Sequence, residues 1–240
     1  MTVLRSIAFN FLYIFGSLLL SIVLLWTFVF PPKKCAALVG DIYGGYITLI
    51  EKYVLGLKLE IRGWENVPED GRYILAPKHQ SAFETLKLPF MKPLKYPAII
   101  LKRELIWLPL WGLYPLFMGQ VPIDRGSGME ALNSISKGCK KALDDGRPVI
   151  IFPQGTRTAP DAVKPYKTGI AKVYKDLQVP IVPMALNSGY FWGRNAFFKK
   201  PGTVIFEFLP PIAAGLPPLQ MMEQLEKVTE EACKKLPAPP

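Results

Sequence analysis

The chain has 240 residues, half of them hydrophobic, enough for one full-sized domain with a sizeable core. Its three cysteines, Cys35, Cys139 and Cys233, are far apart and lack both C-x-x-C spacing and histidine partners, which argues against a disulfide framework or a metal site and for a reducing compartment. A formal charge of +10 calls for an anionic partner, whether phospholipid headgroups, nucleic acid or an acidic carrier with its phosphates.

The segment from Ile7 to Phe30 contains no charge. As a helix it measures about 36 Å, enough to cross or deeply enter a bilayer core. The apolar run is too long for a signal peptide, and Phe28-Val29-Phe30-Pro31-Pro32 offers no small-residue cleavage site. Arg5 flanks it on one side and Lys33-Lys34 on the other, a bias that places everything after it on the cytoplasmic face of the cell inner membrane. Beyond Pro31-Pro32, residues 36–57 predict a second, amphipathic helix. Leu38, Val39, Ile42, Tyr46, Leu49, Ile50 and Tyr53 recur at helical spacing on its apolar side, while Asp41, Gly44, Gly45, Thr48, Glu51 and Lys52 form the other. Residues 1–57 are thus expected to form a membrane-embedded helical segment or a two-helix hairpin on an anionic phospholipid membrane, the second helix lying in the interface or packing on the domain.

From residue 58 the pattern becomes that of an α/β domain running to residue 235. Strands are expected at 58–62, 72–76, 98–102, 120–123, 148–152, 180–186 and 203–209, and helices at 81–90, 129–144, 168–177 and 217–235. This alternation predicts a largely parallel mixed sheet flanked by helices. Residues 236–240, rich in proline, read as a disordered tail.

The first segment with chemistry is Lys78-His79-Gln80-Ser81-Ala82-Phe83-Glu84-Thr85, which holds the only histidine of the chain. Imidazole exchanges protons near neutral pH, and a carboxylate on its far nitrogen fixes the tautomer. Five helical residues turn through about 140°, so His79 must precede the helix if it is to meet Glu84. Ser81-x-x-Glu84 supplies that start as a capping box, and a carboxylate reaching back to the cap also points at His79. The plainer reading is a helix cap beside an ordinary imidazole.

Three further strand ends carry polar residues, where open α/β sheets place their sites. Gly119 to Ile123 is a strand that stops at Asp124-Arg125. Ile150 to Phe152 runs into Pro153-Gln154-Gly155-Thr156-Arg157, followed by Tyr166-Lys167-Thr168-Gly169, which places a flexible backbone, a hydroxyl and a guanidinium where a phosphate monoester would be gripped. Val179 to Ala185 has no catalytic side chain and reads as a core strand that can also wall an acyl pocket.

In this order and spacing the four segments resemble blocks I to IV of the bacterial-type 1-acylglycerol-3-phosphate acyltransferases, over roughly residues 58–210. The resemblance implies acyl transfer from acyl-CoA or acyl carrier protein to the free hydroxyl of a lysophosphatidic acid, with no further cofactor. It implies that His79 takes the hydroxyl proton, that Glu84 holds His79, and that Arg125, Arg157 and Lys167 bind phosphate around a loop shaped by Gly155 and Thr156. Two positions depart from the pattern. Glu84 stands where aspartate is usual, and Gln154, which can hydrogen-bond an acceptor hydroxyl, stands where glutamate is common.

The alternatives are another lysolipid acceptor, or a membrane-bound thioesterase or lipid esterase. The last needs a nucleophile, and the chain has no G-x-S-x-G elbow, leaving Ser81 and Cys139 as candidates. Nucleic acid is set aside for want of helix-turn-helix, RNP or zinc-finger patterns, and nucleotide cofactors for want of G-x-G-x-x-G or G-x-x-x-x-G-K-[ST].

Overall fold

The computed structural model describes residues 2–124 and 128–238. Two long helices come first, α1 (Thr2–Val29) and α2 (residues 32–55), with Phe30 and Pro31 turning the chain between them. They lie side by side. The Tyr46 hydroxyl donates to the Leu12 carbonyl at 2.7 Å, and Ser17 and Tyr43 share a hydrogen bond of 3.1 Å. Gly16 permits this approach, since a Cβ there would sit 2.0 Å from the Tyr46 oxygen. Gly56, at φ 73°, ends α2 in the left-handed conformation and releases the chain into the first strand.

Among the described residues seven strands form one sheet: β1 (Leu57–Arg62), β2 (Ile74–Pro77), β3 (Ala98–Lys102), β4 (Val121–Ile123), β5 (Val149–Ile150), β6 (Ile181–Leu186) and β7 (Gly202–Phe208). Their order is β1-β7-β6-β2-β5-β3-β4, and every neighbouring pair is parallel except β6 and β7. The helices are α3 (Phe83–Lys87), α4 (Leu113–Phe117), α5 (Gly128–Asp144), α6 (Gly169–Leu177) and α7 (Pro218–Lys235). Both faces of the sheet are covered, which is why β2 and β6 are apolar at every position rather than at alternate ones. Ile74, Ala76 and Ile181 join a core with α5, α6 and α7, while Leu75, Val182 and Phe206 join the second core with Phe9, Leu24, Cys35, Ile47 and Leu55 of the hairpin. Residue 57 therefore marks a change of secondary structure and not a boundary in packing.

Three expectations change. In α2 the predicted apolar stripe divides: Val39 and Ile50 are buried, whereas Ile42, Leu49 and Tyr53 are exposed, by 40%, 55% and 68%; of the small and polar side Glu51 is buried, while Asp41, Gly45, Thr48 and Lys52 stay exposed. Gly40 and Gly44 allow Tyr96 and Phe90 to approach, and Glu51 is buried against Lys87 of α3. The cause is that glycine gives close packing, whereas an outward apolar stripe suits a surface meeting lipid. The expected strand 148–152 is short, because Pro153 has no N–H for a ladder and Gly155, at φ 64°, turns the chain away. The supposed tail is anchored at its start: Leu236 is buried and the Pro237 carbonyl accepts from Asn187 at 2.9 Å.

The Glu51–Lys87 pair ties the hairpin to the α/β unit and is almost wholly enclosed, with Lys87 also donating to Thr48 at 2.7 Å. Burial pushes the Glu51 carboxyl from its ordinary 4.5 up to about 7, against the opposing pull of Lys87. The folded chain thus holds this proton more tightly than the unfolded chain. The resulting stabilisation is complete below about pH 4.5 and is lost as pH rises through about 7. Lys87→Met is expected to destabilise more at pH 8 than at pH 5, by about 3 kcal/mol or more at the higher pH, where it leaves a buried carboxylate alone. Thermal unfolding in detergent at the two pH values measures this, and an equal loss at both would show that Glu51 does not titrate between them.

Candidate active site

Strands β6, β2 and β5 are parallel neighbours, so their C-terminal ends open side by side, and three short segments leave them there. After β2 the Lys78 N–H still bonds the Met184 carbonyl at 2.9 Å, and the chain then turns at His79. His79 precedes α3, as the spacing to Glu84 requires. Its Nδ1 lies 2.9 Å from Glu84 Oε1, and the same oxygen accepts from the Gln80 and Ser81 N–H groups at 2.8 and 2.7 Å. The Ser81 hydroxyl in turn accepts from the Phe83 N–H at 3.1 Å. The carboxylate half of the capping box is present, while the Ser81 hydroxyl takes the Phe83 N–H in place of that of Glu84, and the reach of Glu84 back to Ser81 holds its carboxylate against the imidazole.

Glu84 is fully buried. Its second oxygen accepts from the Ser188 hydroxyl at 2.8 Å, so an extra methylene relative to aspartate is accommodated by a donor from beyond β6. The peptide N–H groups can only donate, and the carboxylate accepts from both of them and from Ser188. Nδ1 therefore carries the hydrogen, and the Nε2 lone pair is left to take a proton. The ring stacks on Phe152 at 4.0 Å between centroids, which fixes its plane.

The loop after β5 closes over the backbone of His79. The Thr158 N–H and hydroxyl both donate to the His79 carbonyl, at 2.8 and 3.1 Å, and the Gln154 side-chain oxygen accepts from the His79 N–H at 3.2 Å. Gln154 is buried and spent on these contacts, so it is not among the residues facing substrate. The expectation that it meets an acceptor hydroxyl is corrected, because the turn at Gly155 sends Thr156 and Arg157 outward and leaves Gln154 beneath.

A cavity of about 1210 Å³ begins at this point. Its lining includes His79, Gly155, Thr156, Arg157 and Lys167, together with Arg194, Lys102 and Asp124. The same lining includes the apolar side chains of Leu101, Met118 and, from α1, Leu20 and Leu24. Arg157 also donates to Asn195 at 3.1 Å. Arg125 lies outside the described residues. In the stretch Val179 to Ala185 the strand itself, Ile181–Leu186, is buried at every position, and none of it is part of the cavity wall, so its reading as a core strand stands. Cys139 is buried, and burial pushes its thiol up to about 12, which makes it no nucleophile.

Sequence reading missed Ser188, Thr158, Phe152 and Arg194. Asn187-Ser188-Gly189 does follow an apolar strand as the other site segments do, and that polar strand end was the available signal. Arg194 gave none, since it enters through a loop.

A buried carboxylate behind an imidazole places an oriented proton acceptor in the wall of a cavity lined by both cationic and apolar side chains. The chain belongs to the Acyltransferase family, whose model of that description matches residues 58–187. Among its relatives, a 1-acyl-sn-glycerol-3-phosphate acyltransferase of Pseudomonas aeruginosa is 35% identical over 156 residues, 65% of this chain and 59% of that protein. The 1-acyl-sn-glycerol-3-phosphate acyltransferase alpha of Mus musculus is 30% identical over 175 residues, 72% of this chain and 61% of that protein. The matches thus span less than two thirds of these relatives' own length. The crystal structure of the 1-acyl-sn-glycerophosphate (LPA) acyltransferase PlsC from Thermotoga maritima has a TM-score of 0.72 at 20% identity, covering 98% of this chain and 95% of that one, and shares the fold.

Because the chain has a single histidine, ¹⁵N-histidine labelling gives one imidazole to observe. Its side-chain nitrogens are expected to report the Nδ1–H tautomer in the unaltered protein and a mixture in Glu84→Ala. An unchanged spectrum in the variant would mean that Glu84 caps the helix and does no more.

Proposed function

We propose that the protein transfers a fatty acyl group from a thioester of coenzyme A or acyl carrier protein to the free sn-2 hydroxyl of 1-acylglycerol-3-phosphate, giving phosphatidic acid. The observation that carries this reading is the pairing of His79 with a buried Glu84 beside a cavity whose lining includes Arg157, Lys167 and Arg194 together with many apolar side chains.

In the proposed reaction the acceptor's phosphate is held by Arg157 and Lys167, with Arg125 from the adjoining segment, which points its hydroxyl at His79 Nε2. Nε2 takes the hydroxyl proton as the oxygen attacks the thioester carbonyl, and Glu84 steadies the imidazolium that forms. Collapse of the tetrahedral adduct breaks the carbon–sulfur bond, and the thiolate leaves with the proton from His79. No acyl-enzyme is required. The Ser81 hydroxyl is engaged as a cap, which favours direct transfer over the esterase reading.

The hairpin supports attachment to one leaflet of the inner membrane, with the site on the cytoplasmic side. Both ends of α1 touch the α/β unit: Phe9 meets Trp192 edge-on at 5.2 Å, and Phe28 packs on Tyr114 and Phe117, each at 4.8 Å. A helix held along its length against the domain lies with it at the bilayer surface. Its outward residues are apolar, with Leu19 61% and Ile22 51% exposed. An acceptor lipid can thus reach the cavity between α1 and the sheet without crossing water.

His79→Ala is expected to lower acyl transfer at least about a hundredfold without unfolding, the usual contribution of a positioned base. Glu84→Gln should cost less, and near-normal turnover in His79→Ala would end the proposal. Arg157→Ala should raise KM for the phosphorylated acceptor roughly tenfold or more, since a charge-assisted hydrogen bond contributes about 1.5 to 3 kcal/mol. A rise confined to the thioester would move Arg157 to the donor site. Leu19→Glu with Ile22→Glu should reduce binding to anionic vesicles and lower activity on bilayer-embedded acceptor more than on detergent-dispersed acceptor. Equal activity on the two presentations would deny α1 a part in lipid access.

A further inference from the structure

Directly beneath His79 lies a buried polar cluster that the proposed reaction does not use. Lys78, fully enclosed, places its ammonium 2.6 and 2.5 Å from the two carboxylate oxygens of Glu230 on the C-terminal helix α7. The Tyr166 hydroxyl donates to Glu230 Oε1 at 3.2 Å, and the Gln154 amide nitrogen lies 3.4 Å from the same oxygen. Lys78 also donates to the Ala162 carbonyl at 3.3 Å. Burial first, and the charge of Glu230 second, hold the Tyr166 phenol far above its ordinary range, so it remains a donor.

The orientation of Gln154 follows from its partners. The His79 N–H can only donate, so the group facing it must be the side-chain oxygen, and that forces the NH₂ toward Glu230. An amide satisfies both neighbours at once. A carboxylate at position 154 could accept from His79 but would face Glu230, whose side chain is only 12% exposed, with a second negative charge. The charges in the cluster make the same point. Lys78 and Glu230 sum to zero; Gln154→Glu makes the sum −1, Glu230→Gln makes it +1, and the two together restore zero.

We propose that Glu230 is a positioning residue for His79, acting through Gln154, and that residue 154 is an amide in this chain because Glu230 occupies the neighbouring carboxylate position. This rests on the reading of His79 as the base. The effect is on geometry: Gln154 grips the N–H of His79 while Thr158 grips its carbonyl, so a shift of Gln154 turns the backbone that carries the imidazole. The cluster thereby makes α7, far along the sequence, part of the support of the active site.

The test is a double-mutant cycle in the full-length chain with Gln154→Glu, Glu230→Gln and the pair combined, reading kcat and KM for both substrates, thermal unfolding, and the ¹⁵N side-chain signals of the single histidine. Each single variant is expected to lower kcat about tenfold or more, to leave both KM values within about twofold, and to shift or broaden the His79 signals. The combined variant exchanges the amide and the carboxylate, and should recover kcat to within about threefold and return the signals toward their original positions. A single variant that fails to fold beside a combined variant that folds supports the same coupling. Single variants that match the unaltered protein in kcat and in the histidine signals would overturn the proposal, as would a combined variant no better than the worse single one or unable to fold. If the unaltered protein transfers no acyl group, the functional reading fails, while recovery of the histidine signals still decides whether Glu230 positions His79.

Discussion

The structure depends on one buried carboxylate. Glu84 has no contact with solvent, and an ionised carboxyl in that position costs several kcal/mol in lost hydration unless donors replace the water. They come from two places in the chain: the turn before α3, through His79, Gln80 and Ser81, and the strand end after β6, through Ser188. Meeting that demand requires β2 and β6 to lie side by side and to run in the same direction, which they do. The imidazole orientation, the opening of the cavity beside it and the closure of the 153–158 loop over the His79 backbone all follow from that arrangement.

The hairpin shows the same economy applied to two solvents. Its inward side joins the sheet in one continuous core, and at Gly16, Gly40 and Gly44 it uses the absence of a side chain to bring backbones close. Its outward side keeps large apolar residues in the open, among them Leu4, Leu19, Val29, Leu49 and Tyr53. In water such a surface would be a liability; against a bilayer it is where the chain is at its lowest free energy. Residues of the same helices, Leu20, Leu24, Val39 and Tyr43 among them, also line the cavity.

The rival readings separate on chemistry. A hydrolase would need a nucleophile poised beside His79, but Cys139 is sealed in the core with its thiol pushed up to about 12, and the Ser81 hydroxyl is occupied by the start of α3. The proposed direct transfer asks for a base, an anion grip and room for acyl chains, and it is supported by a cavity of about 1210 Å³ lined by His79, by arginine and lysine, and by apolar side chains.

Much of this was legible in the order of residues. Period-two and period-3.6 patterns located the seven strands found among the described residues and the long helices of the α/β region: β2 and β6, buried on both faces, are apolar throughout, β1 alternates, and the helices keep one apolar side. The five-residue spacing of His79 and Glu84, with Ser81 between them, required a turn followed by a helix and hence their contact, a local matter settled by backbone geometry. Tertiary structure decided what depends on partners distant in sequence. Glu51 looked like a solvated residue until Lys87 buried it; Ile42 and Leu49 looked like part of one packing face with Val39 and Ile50, yet only the latter two are buried. Gln154 looked like a ligand of substrate, yet its role is set by Glu230, 76 positions away, and that of Glu84 is completed by Ser188, 104 positions away. Local periodicity records which side of an element is apolar. Which neighbour satisfies a buried polar atom is recorded only when the chain has closed on itself, because hydrogen bonds act over a few ångströms in space and are indifferent to separation along the chain.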